Sequence, residues 1–207
     1  MTATAIGAGS TATGINASGS SFAPSNINTG ILTVHANGDV SATSDGGATG
    51  IGLSRGSTRF AALTAGLGGI DLDTKGTVSA TSASAAAIGI SGVMVNGADN
   101  AATLALRAEG NVIASGTAAG SYGIFAQRDG LGDIRIDALA GVQSSGVGIA
   151  ASRSTPGNIF ITTGTSVTGT TGITTSGGTT TLIANGIITG TGGTTSQAVF
   201  LIRSGEA

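Results

Sequence analysis

Leu104-Ala105-Leu106-Arg107-Ala108-Glu109-Gly110-Asn111-Val112-Ile113 decides the architecture, because two alternating strands and a tight corner follow one another within it. Period-2 alternation puts Leu104 and Leu106 on one face and Ala105 and Arg107 on the other, the pattern of a half-buried strand. Gly110 and Asn111 supply the turn, and Val112 restarts an apolar face.

The phrase recurs along the chain: Ile31-Leu32-Thr33-Val34 with Asp39-Val40-Ser41, Ile70-Asp71-Leu72-Asp73 with Thr77-Val78-Ser79, and Ile134-Arg135-Ile136-Asp137 with Gly141-Val142-Gln143. It continues as Ile159-Phe160-Ile161-Thr162 with Ser166-Val167-Thr168, and Thr180-Thr181-Leu182-Ile183 with Ile187-Ile188-Thr189. From the last inward residue of the first strand to the centre of the second the separation is six residues every time: Val34 to Val40, Leu72 to Val78, Leu106 to Val112, Ile136 to Val142, Ile161 to Val167, Leu182 to Ile188. Gly38, Gly76, Gly110 and Gly186 share one place in the corner, which predicts positive φ there. Ala140 and Thr165 hold that place in the other two repeats, so those corners are expected to be built differently.

Units this short cannot bury their own apolar face and must lie on their neighbours. Asn37-Gly38 and Asn185-Gly186 sit in a corner that recurs without reversing the chain, which argues against antiparallel hairpins. The reading is an all-β, right-handed parallel β-helix of about six three-strand coils, the hand following the general preference of parallel crossovers. At about 4.8 Å per coil the body would be on the order of 25 to 30 Å long. Val40, Val78, Val112, Val142, Val167 and Ile188 are predicted to form one interior column. Residues 1–207 form a single segment, with 1–30 a partial first coil or cap.

A third strand precedes each pair, and two registers compete for it. Phe60, Val93, Ile124 and Ile149, with Phe22, give a near-constant spacing to the next strand and are the preferred inward positions. The rival uses the Gly14-Ile15, Gly50-Ile51 and Gly89-Ile90 pairs. Coil lengths between Val34, Leu72, Leu106, Ile136, Ile161 and Leu182 are 38, 34, 30, 25 and 21 residues. Under the preferred register the inserts responsible lie between second and third strands, tapering toward the C-terminus as a ridge. The residues just past the first-strand anchors, His35, Asp73, Arg107, Asp137, Thr162 and Ile183, would stack as an outward rank with alternating charge.

Of the 207 residues 38 are glycine and two proline, none is cysteine or tryptophan, 9% are charged and 40% hydrophobic. That is too apolar for a disordered chain. A net charge of −2 leaves no electrostatic footprint for nucleic acid. Without cysteine there are neither disulfides nor zinc–thiolate sites, as suits a chain that crosses an oxidising compartment unfolded. The N-terminus shows no signal-peptide pattern, and no apolar run is long enough to span a membrane.

Enzymatic β-helices cluster carboxylates with cations on one face, and Asp71, Asp73, Arg107, Arg135 and Asp137 are the comparable group here. A solvated charge ladder is the simpler account. His35, the single histidine, has no acid or nucleophile at a telling spacing. Asp129-Gly130-Leu131-Gly132-Asp133 reads as an acidic turn rather than a calcium loop, and Gly66-Leu67-Gly68-Gly69 as a corner without a Walker lysine. No catalytic residue, metal ligand or cofactor is assigned. Threonines crowd Thr162 to Thr195, as in ice- or carbohydrate-binding solenoids, but Ser41, Ser79, Ile113, Gln143, Thr168 and Thr189 form no threonine rank.

Gly110-Asn111-Val112, Tyr122-Gly123-Ile124-Phe125-Ala126 and Thr181-Leu182-Ile183-Ala184-Asn185-Gly186-Ile187-Ile188-Thr189-Gly190 resemble the degenerate repeats of autotransporter passenger domains and related type V secreted adhesins. The resemblance covers nearly the whole chain and implies export through a C-terminal translocator barrel in the parent chain, display at the cell surface, and a structural or adhesive role. Host or bacterial surface ligands are the implied partners. The apolar Val199-Phe200-Leu201-Ile202 leads to the expectation that the parent chain continues. The binding edge is placed on the tapering inserts near Asp45, Arg55 and Arg59. A polysaccharide-active lyase or hydrolase using the Asp71, Asp73, Arg107 and Asp137 face is the competing reading.

Overall fold

The computed structural model of the chain describes residues 1–7, 9–20, 30–56, 68–95, 101–192 and 196–202. These are all-β and form three parallel sheets. Sheet A contains β1 (Thr2–Ala5), β4 (Val40–Ser44), β7 (Val78–Ser82), β10 (Val112–Ser115), β13 (Val142–Ser144), β16 (Ser166–Gly169) and β19 (Ile187–Gly190), paired in that order. Sheet B contains β2 (Ala12–Ser20), β5 (Ala48–Gly56), β8 (Ala87–Val95), β11 (Tyr122–Asp129), β14 (Val147–Arg153), β17 (Thr171–Ser176) and β20 (Gln197–Ile202). Sheet C contains β3 (Leu32–Ala36), β6 (Ile70–Thr74), β9 (Leu104–Ala108), β12 (Ile134–Ala138), β15 (Asn158–Thr163) and β18 (Thr179–Ala184). The chain visits C, A and B in turn through six coils, with β1 and β2 ahead of the first full one. This is a parallel β-helix.

The interior columns lie where the six-residue interval puts them. Val40, Val78, Val112, Val142, Val167 and Ile188 are direct partners from coil to coil in sheet A. Val34, Leu72, Leu106, Ile136, Ile161 and Leu182 are partners in sheet C. Ile70, Leu72, Leu104, Leu106, Ile134 and Ile136 are fully enclosed, and each such side chain contributes about 1.5–3 kcal/mol by leaving water. Near the A–B corner the space narrows, and a second cluster of Ala12, Ala42, Ala48, Ala80, Ala87 and Ala114 fills it.

Sheet B corrects the preferred third-strand register. Ile15, Ile51, Ile90, Ile124, Ile149, Ile173 and Val199 are successive partners, so the Gly-Ile pairs mark the inward column. Val93 pairs with Ser54 and Gln127 on the outward side, while Phe22 and Phe60 lie outside the described residues. The glycines are there for space. A Cβ on Gly50 would stand 2.6 Å from Val78 Cγ1 and 2.6 Å from the Gly89 carbonyl oxygen, and Gly14, Gly148 and Gly172 face the following coil's Val40, Val167 and Ile188 in the same way.

Two further expectations change with that register. The variable inserts fall between sheets B and C, at 57–69, 96–103, 130–133, 154–157 and 177–178, not between second and third strands. The A-sheet corner glycines Gly38, Gly76, Gly110 and Gly186 are not among the positive-φ glycines, which include Gly130, Gly157, Gly177 and Gly178 at the B–C corner. What excludes a side chain at Gly76 is contact with Gly38 and Asp39 one coil below, and at Gly110 contact with Gly76. Stacked corners, rather than a left-handed backbone, require glycine at 76 and 110, whereas a Cβ at Gly38 would meet nothing within 4 Å.

Candidate functional surfaces

Sheet C presents the charge ladder. His35, Asp73, Arg107, Asp137, Thr162 and Ile183 are register partners, as the spacing implied. Asp73 lies between His35 and Arg107, with His35 Nδ1 at 3.9 Å from one carboxylate oxygen and Arg107 Nε at 3.9 Å from the other. Arg107 also reaches Glu109 at 2.8 Å, and Asp137 accepts a 2.8 Å hydrogen bond from Arg135 Nε on its own strand. That bond and the adjacent charge raise the Arg135 pKa. Exposed pairs of this kind contribute about 0–1 kcal/mol each. Asp73 and Asp137 are thus already engaged with cations.

Of the three residues expected at a binding edge, Asp45 and Arg55 are described. Asp45 sits in the corner after β4, where its carboxylate accepts the Gly7 N–H at 2.7 Å and its carbonyl accepts the Ser84 hydroxyl. Arg55 lies near the opposite end of β5, not on an insert; it is 4% exposed and donates to the Gly69 carbonyl at 3.3 Å. Arg59 falls outside the described residues.

Arg55 instead belongs to an interior rank that the sequence reading missed: Arg55, Met94, Arg128 and Arg153 are successive partners, each five residues beyond its coil's column glycine. All four are buried. Arg153 ties the B–C corners together: NH2 donates to the carbonyls of Gly130 (2.9 Å) and Pro156 (2.8 Å), NH1 to those of Gly132 and Asn158, and Nε to Thr155. Arg128 NH1 approaches Met94 Sδ at 3.3 Å. Burial, then the charge of Arg153, pulls the Arg128 pKa down to about 10 against the opposing pull of Asp133 and Asp129. Burial lowers Arg55 and Arg153 as well. The signal that would have found this rank was the fixed offset from Gly50, Gly89, Gly123 and Gly148.

The acidic turn at 129–133 is occupied by the next coil. Asp129 Oδ1 accepts the Ser154 hydroxyl at 2.6 Å, and Asp133 Oδ1 accepts the backbone and side-chain amides of Asn158 at 3.0 and 3.1 Å. Among the described residues no group of three or more acidic, histidine or cysteine side chains is disposed to hold a metal ion. No helix there is long and apolar enough to cross a membrane.

Sheet A presents a different surface, its strands without charged residues and rich in hydroxyls, with a groove of about 360 Å³ lined by Asn111, Ile113, Gly141, Gln143, Ser166 and Thr168 above Val142. Comparison with protein-family models, characterised proteins and solved structures finds no match.

Proposed function

We propose that this chain is part of a bacterial surface-exported β-helical protein of the autotransporter passenger type, with a structural or adhesive role, and not an enzyme. The observation that carries this reading is the unbroken interior column from Val40 to Ile188, one residue per coil. A stack in which each coil rests only on its neighbours propagates without a new core, which suits a rigid extended segment and folding that proceeds coil by coil. The cysteine-free composition fits transit through an oxidising periplasm, and the repeats resemble those of passenger domains. Export would proceed through a translocator barrel in the parent chain.

The enzymatic alternative is less well supported, because Asp137 is bonded to Arg135 on its own strand and Asp73 lies within 3.9 Å of Arg107. Antibody labelling of intact producing cells, combined with external protease, tests the reading. Labelling that external protease abolishes is the expected result; a chain reached only after lysis would overturn surface display. Incubation with acidic and neutral polysaccharides should yield no new reducing ends or unsaturated products. Turnover abolished by Asp73→Ala would replace the proposal with the enzymatic one.

A further inference from the structure

Beyond the strand-entry positions Asp39, Thr77, Asn111, Gly141, Ser166 and Ile187, the outward face of sheet A carries two ranks of side chains. The first is Thr2, Ser41, Ser79, Ile113, Gln143, Thr168 and Thr189, in register from coil to coil. The second, two residues further on, is Thr4, Thr43, Thr81, Ser115, Ser145, Thr170 and Thr191, every member exposed and bearing a hydroxyl; the last three lie just past their strands, where Ser145 Oγ accepts the Gly116 N–H and Thr170 and Thr191 donate to the Gly146 and Gly169 carbonyls. None of the seven strands contains a charged residue. On sheet C, by contrast, charge dominates the same side of the strands.

The groove interrupts this face at its fourth to sixth strands. It opens because residue 141 has no side chain: a Cβ there would stand 3.1 Å from Asn111 Oδ1, 3.6 Å from Ser166 Oγ and 3.9 Å from Thr165 Oγ1, so three side-chain oxygens converge on the space. Asn111 Oδ1 already accepts the Gly141 N–H at 3.0 Å, which leaves the Asn111 amide NH2 as the donor it offers outward. Gln143, exposed beside it, adds a second planar amide.

We propose that this face binds a neutral polysaccharide, seated in the groove at Gly141 and running along the hydroxyl ranks. Amides and hydroxyls both donate and accept, which matches the hydroxyls of a sugar ring, whose bonding runs in both directions. Strands without a cationic residue offer no electrostatic gain to an acidic glycan or a nucleic acid. It also lacks the aromatic and arginine anchors on which protein interfaces depend. The groove spans β10, β13 and β16, about 10 Å, and the ranks continue its chemistry on both sides. Each hydrogen bond gained replaces one to water, so a single seat binds weakly and the repeated ranks supply the avidity. The inference names a ligand for the surface protein proposed above and rests on that reading only for where the ligand is met.

The test is calorimetric titration of the whole chain with cellohexaose, maltohexaose, xylohexaose and chitohexaose, beside polygalacturonate and heparin. At least one neutral oligomer should bind, with an affinity that salt leaves unchanged. Thr168→Val with Gln143→Ala should weaken it by about tenfold at an unaltered melting temperature, while Asp71→Asn on sheet C leaves it intact. Absence of neutral binding, salt-sensitive binding to the acidic polymers alone, or neutral binding indifferent to the groove variants would overturn the proposal. Thermal hysteresis without glycan binding would reassign the face to ice. A chain displayed on cells that binds none of these oligomers would defeat this inference and leave the surface reading standing.

Discussion

Adding one methyl group at Gly50 should destabilise the chain although the backbone there is ordinary. The new Cβ would meet Val78 Cγ1 and the Gly89 carbonyl oxygen at 2.6 Å, about 1 Å inside normal contact. Neither neighbour yields easily, since Val78 is fully buried and Gly89 belongs to the paired strand β8. Overpacking of this kind costs about 1–3 kcal/mol, and the entropy that alanine removes from the unfolded chain returns about 0.4–1. Gly50→Ala should therefore lose about 1–2 kcal/mol. Gly38→Ala provides the control: its Cβ would have nothing within 4 Å, and its φ is not positive, so it should gain about 0.4–1 kcal/mol. Urea midpoints for the two variants should move in opposite directions. Equal midpoints, or a more stable Gly50→Ala, would refute the argument that glycine serves close packing between sheets A and B.

Ile136→Ala, in the centre of the sheet C column and fully buried, should cost about 2–5 kcal/mol by urea unfolding. Arg153→Met should leave the corner carbonyls of Gly132 and Pro156 without this donor, while Gly130 keeps the Thr155 hydroxyl, and cost about 1–3 kcal/mol, with faster amide exchange over 154–157. Arg128→Met should be neutral or stabilising, because Met94 fills the equivalent place one coil earlier and the substitution removes a buried charge. With the Arg128 pKa lowered to about 10, the folded chain releases that proton before the unfolded chain does; wild-type stability should therefore rise relative to Arg128→Met as pH climbs past about 10.

Sheets A and C were legible because the corner between them is short and invariant, so a constant interval from Val34 to Val40 and onward reported the register directly. Constant spacing misreports sheet B. Its outgoing connection is where the coils differ in length, and the better signal was steric: glycine recurs at 14, 50, 89, 123, 148 and 172 because the next coil's Val or Ile leaves no room for a Cβ. Ala198 occupies that position in β20, where no following coil is described. The buried arginines were invisible for a related reason. Arginine at the end of an alternating strand reads as surface until the glycine column reverses its parity, which moves Arg55 from an expected binding edge to the interior. The second hydroxyl rank is legible only when both outward positions of each strand are read, since Ile113 and Gln143 interrupt the first.

The stacking itself is best tested by distances between spin labels on the exposed second rank, since the chain has no cysteine to interfere. With one label at Thr43→Cys and the other at Ser115→Cys, Ser145→Cys or Thr170→Cys in turn, the mean separation should grow by the same roughly 4.8 Å at each step, although the steps add 30 and then 25 residues. Separations that track the number of intervening residues, or that fail to rise steadily, would contradict a parallel β-helix.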